Sequence, residues 1–500
     1  MSITGPGSIT AANVMAQTNM MTQLDSLSQE LGTGQAAQTY SGLNSQAGVA
    51  VALGAQLADI NGYSAAATTV GTTLSIAQSV LGQLADAGSA VAQSAVQSGA
   101  FALDNNGQTA TQESAASYLG QVLALLNTQV GQNYIFSGSA ANQPSVASVN
   151  DILNGNGTQA GLTQIIARRQ QADLGDNGLG RLTVGANAAT VTVSQDGSPF
   201  GFQLAGVNSS LTGATVSGPS GTPPAVSVNL GSNPNNGDSI AFNLTLPDGS
   251  SQTITLQATT ASPAGANQFT IGATPAATAA NLQTALTSAI GNVAQTTLPA
   301  ASAIAAANDF FNSVPPQVVA GPPYDTAMSL VSGTTANTVF WYGGENGGTP
   351  ALQTATAQVG PAMTIAYGMR ATEPAISSLV ANVAALAATT YSASDPNAQA
   401  SYQALSRRVA ANLNGQPGTQ SISDIEAEIA NAQTTVKNAT TLNTQTQNTL
   451  QDMLQGIEGI NQTQIGEDIL TLQNSLSASM SVTARLAQLS LVNYLAPVTG

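Results

Sequence analysis

Residues 449–495 read TLQDMLQGIEGINQTQIGEDILTLQNSLSASMSVTARLAQLSLVNYL. Apolar side chains fall at Leu450, Leu454, Ile457, Ile465, Ile469, Leu472, Leu476, Met480, Leu486 and Leu489. Steps of three and four put them on one stripe of a long helix, the pattern of a helix that packs on other helices. The opposite end repeats the pattern over residues 8–31, with Val14, Met21, Leu24, Leu27 and Leu31. Neither striped helix is stable alone in water. Pairing with each other, and then with further copies, is the simplest way to bury both stripes. This reading predicts a self-assembling subunit whose paired ends form a polymer core.

Working inward from the N-terminus, residues 1–10 are small and polar and read as frayed. A first helix is predicted over 11–31, ended by Gly32-Thr33-Gly34, and a loop over 40–44. A long second helix over 45–97 carries Leu53, Leu57, Ile60, Val70, Leu74, Ala77, Leu81 and Leu84. After the turn Asp104-Asn105-Asn106-Gly107, a third helix is predicted over 109–132, with Tyr118, Val122, Leu125 and Leu126.

The period then changes. Tyr134-Ile135-Phe136-Ser137-Gly138 reads as a strand running into a turn. From about 146 to 367 the chain is rich in Gly, Pro, Asn and Thr, with short alternating segments such as 189–193. Residues 239–246 and 253–256 make a hairpin across Pro247-Asp248-Gly249-Ser250. One helix interrupts the strands at 274–293, with Thr274 as cap, Pro275 at its first position, and Ala279, Leu282, Leu286 and Ile290 on one face. Beyond Pro374 the helical period returns in Ile376, Leu379, Val383 and Leu386, then over 398–413, stopped by Asn414-Gly415-Gln416-Pro417-Gly418. Ser423 and Glu426 have capping-box spacing for the final helices. The stripe Ile422, Ile425, Ile429, Val436 and Leu442 continues into 449–495.

The predicted fold is therefore α + β and multidomain, with an inserted β-rich central region. Residues 1–44 and 449–500 are the terminal helices of an inner core, forming a coiled-coil or helical-bundle stalk. Residues 45–144 and 368–448 are the two halves of a helical-bundle domain, and 145–367 the insert.

Composition narrows the function. Only 6% of residues are charged, against about a quarter in ordinary soluble proteins. So little charge protects poorly against self-association. The balance of 24 acids to 8 bases, a formal charge of −16, opposes a nucleic-acid partner. There is no cysteine and no histidine, which removes thiol chemistry, disulfides, and the commonest general base and metal ligand. No signal peptide and no run long enough to span a bilayer is read, so export would use a route without a cleaved signal.

No catalytic, cofactor-binding or metal-ligating residue is assigned, and no enzyme is expected. Trp341 reads as a strand's core anchor, and residues 175–180 as a turn lacking a phosphate loop's strand and lysine. Asp173 and Asp176 are too few for a calcium loop. Asp424, Glu426 and Glu428 read as an acidic helix start. Arg168-Arg169 and Arg407-Arg408 read as solvated surface or subunit contacts. The sequons at Asn208 and Asn243 carry little weight.

Four stretches bring these features to a family. They are Asn133-Tyr134-Ile135-Phe136-Ser137-Gly138, Val339-Phe340-Trp341-Tyr342-Gly343-Gly344-Glu345, and Ile365-Ala366-Tyr367-Gly368-Met369-Arg370-Ala371-Thr372-Glu373. The fourth is Leu472-Gln473-Asn474-Ser475-Leu476 leading into Val482-Thr483-Ala484-Arg485-Leu486-Ala487-Gln488-Leu489-Ser490-Leu491-Val492-Asn493-Tyr494-Leu495. With them the chain resembles the flagellin superfamily, most closely the flagellin-like hook-associated proteins of the alphaproteobacterial hook–filament junction. The resemblance covers both ends and the borders of the insert, about half the chain. Residues 193–300 match only as a variable insert. The region 32–44 lacks the arginines flagellins often carry, and the length exceeds a small junction protein's, so filament and junction both stay open.

The resemblance implies export through the flagellar channel, an export chaperone on the C-terminal helix, and assembly outside the cell as a helical homo-oligomer beside other flagellin or hook-type proteins. No nucleic acid and no membrane insertion are expected. Two other readings remain: an exported adhesin binding through its β-rich insert, and a carboxylate hydrolase, for which the acids show no pairing.

Overall fold

The computed structural model describes residues 6–97, 101–415 and 417–494, with side chains over 11–97, 101–415 and 417–488. The expectations for residues 1–5, for Gln416 and for the side chains of 489–495 fall outside these.

The chain opens with α1 (Pro6–Thr33), α2 (Ala47–Val96) and α3 (Ala110–Leu126), then a short ribbon of β1 (Gln129–Val130) and β2 (Asn133–Tyr134). Helices α4 (Val149–Asn154) and α5 (Leu162–Leu174) lead into β3 (Leu182–Asn187), β4 (Thr190–Gln195), β5 (Gln203–Ser209) and β6 (Ala214–Ser220). Strands β7 (Ala225–Leu230), β8 (Ser239–Thr245), β9 (Ser251–Thr259) and β10 (Gln268–Thr270) follow. After α6 (Pro275–Thr296) and α7 (Leu298–Phe311) come β11 (Gln317–Val319), β12 (Leu330–Ser332), β13 (Thr356–Gly360) and β14 (Met363–Ala366). The last helices are α8 (Pro374–Ala388), α9 (Ala398–Leu413), α10 (Ile422–Glu458) and α11 (Gln462–Tyr494). The protein is thus a mixed α and β chain in two compact units, one of 1–70, 357–365 and 435–500, the other of 71–356 and 366–434.

In the second unit, β3 to β10 form two four-stranded sheets, ordered β3-β4-β7-β6 and β10-β9-β8-β5. Alternate residues turn into one shared core, among them Val191, Val193, Val226, Val228, Ile240, Phe242 and Leu244. The β8–β9 hairpin closes over 247–250, with Thr245 opposite Ser251. Helix α6 lays Ala279, Leu282, Leu286 and Ile290 into the same core, its cap Thr274 accepting from the Ala277 amide. The sandwich begins and ends at one place. Gly180, just before β3, lies so close to Phe202 and Leu298 that a Cβ there would meet them at 2.4 and 3.0 Å.

Helices α7 and α8 are the apolar heart of the rest of this unit. Helix α7 is buried from Leu298 and Ala300 through to Phe310 and Phe311, and α8 from Ala375 to Ala388 except Ser378. Helix α3 packs on α8, and its capping box joins the two. Gln112 Oε1 accepts from the Thr109 amide, while its Nε2 donates to the carbonyls of Leu386 at 3.1 Å and Thr389 at 2.6 Å.

Several expectations are corrected. The helix predicted from residue 11 already includes 6–10. The third helix stops at Leu126 rather than 132, because Asn127 pairs both ways with the Val146 backbone and the chain turns into the β1–β2 ribbon. Region 145–367 holds α4, α5 and α7 besides α6. The capping box of α10 is Ser421 with Asp424, not Ser423 with Glu426: the Ser421 amide and hydroxyl both donate to Asp424 Oδ2 at 2.8 Å. Leu442 is 53% exposed, and Ala439 and Asn443 are the buried residues there. Finally, 449–495 is not one helix. Gly459 and Asn461 break it, the Asn461 side chain accepting from the amides of Thr463 and Gln464 at the start of α11.

Two outcomes follow from these caps. Gln112→Ala strands two buried carbonyls and is expected to destabilise the second unit by about 1–3 kcal/mol, measured by urea unfolding with Trp341 emission as the probe. The Ser421 backbone N–H holds the Asp424 carboxyl below its usual range. A depressed carboxylate stabilises above its unfolded pKa and loses that contribution as pH falls through the folded one. The first turn of α10 is therefore expected to loosen only below about pH 4, seen as faster amide exchange at Ile425 relative to Ile376.

Candidate functional site: the paired terminal helices

Helices α1 and α11 lie against each other within the first unit. One end of the pair is fixed where α1 stops: Gly34, in the left-handed region at φ +73°, turns the chain so that its N–H reaches the Glu30 carbonyl. Gln35 then bridges Gly459, and the Ala36 amide donates to the Glu458 carbonyl at 2.7 Å. About five turns along α1, Gln17 Nε2 donates to Thr483 Oγ1 at 2.9 Å and Ser479 Oγ at 3.4 Å. Since α1 runs toward this bridge and α11 away from it, the helices are antiparallel.

The residues between them recur at steps of three and four. On α1 the half-buried positions among the described side chains are Asn13, Gln17, Met20, Leu24, Leu27 and Glu30; on α11 they include Ile465, Ile469, Leu472, Leu476, Ser479 and Thr483. This corrects the predicted stripes. Leu24, Leu27, Ile465, Ile469, Leu472 and Leu476 are in the seam, but Val14, Met21 and Leu31 are 54%, 49% and 37% exposed. Met480 and Leu486 are also exposed. Polar Gln17, Ser479 and Thr483 occupy the seam instead, satisfying one another, a device that fixes register at some cost in stability.

Burial decides what this pair can be. Among the described side chains of α1 and α11, none is buried. Beside the seam stand exposed Val14, Met15, Met21, Leu470, Met480 and Val482. In the same unit, Leu53 and Ile60 of α2 pack with Leu450 of α10, and Asn443 Nδ2 donates to the Val359 carbonyl in the β13–β14 hairpin. Those segments have an interior; α1 and α11 have only a seam.

Three of the stretches quoted for the family resemblance meet in the second unit, although more than 200 residues separate the first from the last. Gly138 N–H donates to the Met369 carbonyl, Ala371 N–H to Phe136, and Glu345 N–H to Ser137, each at 2.9 Å. The Arg370 guanidinium ion-pairs with Glu345 and donates to the Gly347 carbonyl. Gly344 is required here, since a Cβ would stand 2.4 Å from the Tyr342 hydroxyl and 2.7 Å from the Ser137 carbonyl. Burial pushes the Tyr342 hydroxyl well above the usual phenol range, leaving it a neutral donor to the Glu345 carbonyl. Trp341 is a core anchor: its Nε1–H donates to the Phe311 carbonyl at 3.0 Å, and the two rings meet edge-on.

The remaining candidates resolve individually. Asp173 is buried against Arg169 while Asp176 is exposed, so the two do not converge. Arg169 is not solvated surface but sits between Asp173 and Asp309, whose carboxyls burial pushes upward. Arg408 likewise is held by Asp248 in the β8–β9 turn, at 2.8 Å. Arg168 lies over the Tyr324 ring. Asp424 lies in the first turn of α10, and Asn208 and Asn243 lie on paired strands. Among the described residues, no three acidic side chains gather as a metal site, and no helix is long and apolar enough to cross a membrane. A cleft of about 940 Å³ lies in the second unit, where Asn382, Asn412, Asp248 and Arg408 in its walls already bond to protein partners.

No family model matches this sequence, and no curated protein matches it either.

Helices without an interior open easily. In dilute solution the amides of α1 and α11 are expected to exchange at least about a hundredfold faster than those of α7 and α8, by exchange mass spectrometry. Equal protection would mean that the pair has found an interior.

Proposed function

We propose that this protein is a structural subunit of the bacterial flagellum, assembling through its paired terminal helices into the filament or the hook–filament junction. One observation carries the reading: α1 and α11, 28 and 33 residues long, have no buried side chain among those described, yet bear apolar residues beyond their mutual seam. Two helices cannot enclose a core; three or more can, each covering the others' flanks. The lowest-cost source of further matching helices is another copy of the chain. The low charge density supports this, because a copy approaches with few ions to desolvate.

The polymer reading gives each part a role. The terminal helices serve as the coiled-coil stalk, and the sheet sandwich serves as a variable insert. The site of assembly is the exterior of the cell, reached by export without a cleaved signal, with a chaperone shielding the C-terminal helix beforehand. The role is structural rather than catalytic.

A chain ended at Leu470 tests this. It is expected to keep the buried Trp341 emission of the second unit and to form no polymer; polymerisation of the truncated chain would end the proposal. Electron microscopy of the full chain separates the two assemblies. Long tubes of regular diameter indicate filament, and a subunit that adds only to pre-existing hooks indicates junction.

A further inference from the structure

Methionine is the only sulfur side chain in this protein, which has nine and no cysteine. Their exposure is uneven. Met15, Met21, Met453 and Met480, on the helices of the first unit, are 68%, 49%, 50% and 43% exposed. Met369, whose carbonyl accepts from the Gly138 N–H, is 4% exposed, and the single tryptophan 1%. An oxidant meeting the free subunit therefore reaches these four thioethers, and Met328 of the second unit, before any thiol or indole.

The four thioethers stand on α1, α10 and α11, where apolar surface lacks a cover. Unbranched and polarizable, methionine adapts to whatever helix packs on it. On the assembly reading, which this inference extends, a second copy of the chain covers them. We propose that Met15, Met21, Met453 and Met480 are a modification site for peroxide-class oxidants, and that their oxidation blocks self-assembly. A sulfur lone pair takes one peroxide oxygen, forming the S–O bond as the O–O bond breaks. The thioether loses two electrons and becomes the sulfoxide; hydrogen peroxide is reduced and leaves as water. The sulfoxide is polar and its burial without a donor is costly. The free subunit is the vulnerable form, and the polymer shields its own sulfurs.

Limited hydrogen peroxide is applied to the full-length monomer, sites are mapped by peptide mass spectrometry, and polymer is measured by sedimentation. Expected are sulfoxides at the four positions, Met369 spared, Trp341 emission unchanged, and a critical concentration raised about tenfold or more. Applied to finished polymer, the same dose is expected to modify the four positions about tenfold more slowly. A chain carrying Met15→Leu, Met21→Leu, Met453→Leu and Met480→Leu should polymerise equally with and without peroxide. If untreated and oxidised wild-type chains polymerise alike, or the leucine chain remains peroxide-sensitive, the inference is overturned and the assembly reading stands. If the untreated chain never polymerises, both fall.

Discussion

A helix that touches only one neighbour buries only one narrow strip of itself. That geometric limit governs the terminal helices. Helices α1 and α11 meet along a three-four seam whose best-covered residues, such as Leu24 and Leu472, are only half-buried. Helices α7 and α8 are covered almost completely. The chain thus combines a well-covered interior with a long helical pair that has no buried side chain among those described. The amide-to-hydroxyl contact of Gln17 with Thr483 gives that element direction before it gives much stability, because a polar group in a seam penalises every shifted alignment.

The second organising feature is the knot of Phe136, Ser137, Glu345, Arg370 and Ala371. Backbone hydrogen bonds there tie the segment after α3 to the segments before α8, across the whole length of the insert. The Arg370–Glu345 pair is largely withdrawn from solvent, so the loss of either partner would leave an uncompensated charge. Helix α3 docks on α8 alongside it through Gln112. The sandwich can therefore hang from the helical part without supplying its cohesion.

Much of this organisation is legible from residue spacing, and the exceptions have physical reasons. The faces of α6 and α8, the β8–β9 turn and the stop at Gly34 all follow from local chemistry. Helix α7 escaped because a helix apolar on every side has no period to detect. The seam was misplaced because periodicity follows greasy residues, while Gln17, Ser479 and Thr483 earn their positions by bonding to each other. The α10 cap shifted by two residues because serine recurs at 421 and 423, and only one of them has an aspartate three positions on. The knot has no local signature at all. Its members are ordinary in their neighbourhoods and meaningful only together, so spacing could not bring them together.

One detail of the sandwich bears on how such a chain can change over generations. The entry at Gly180 and the exit at Leu298 are in contact. A segment whose two ends leave from a single doorway can be lengthened, shortened or exchanged with little strain on what lies behind the door. The sheets from β3 to β10 therefore leave the helical part through one doorway, and a change of length within them need not alter the helices behind it.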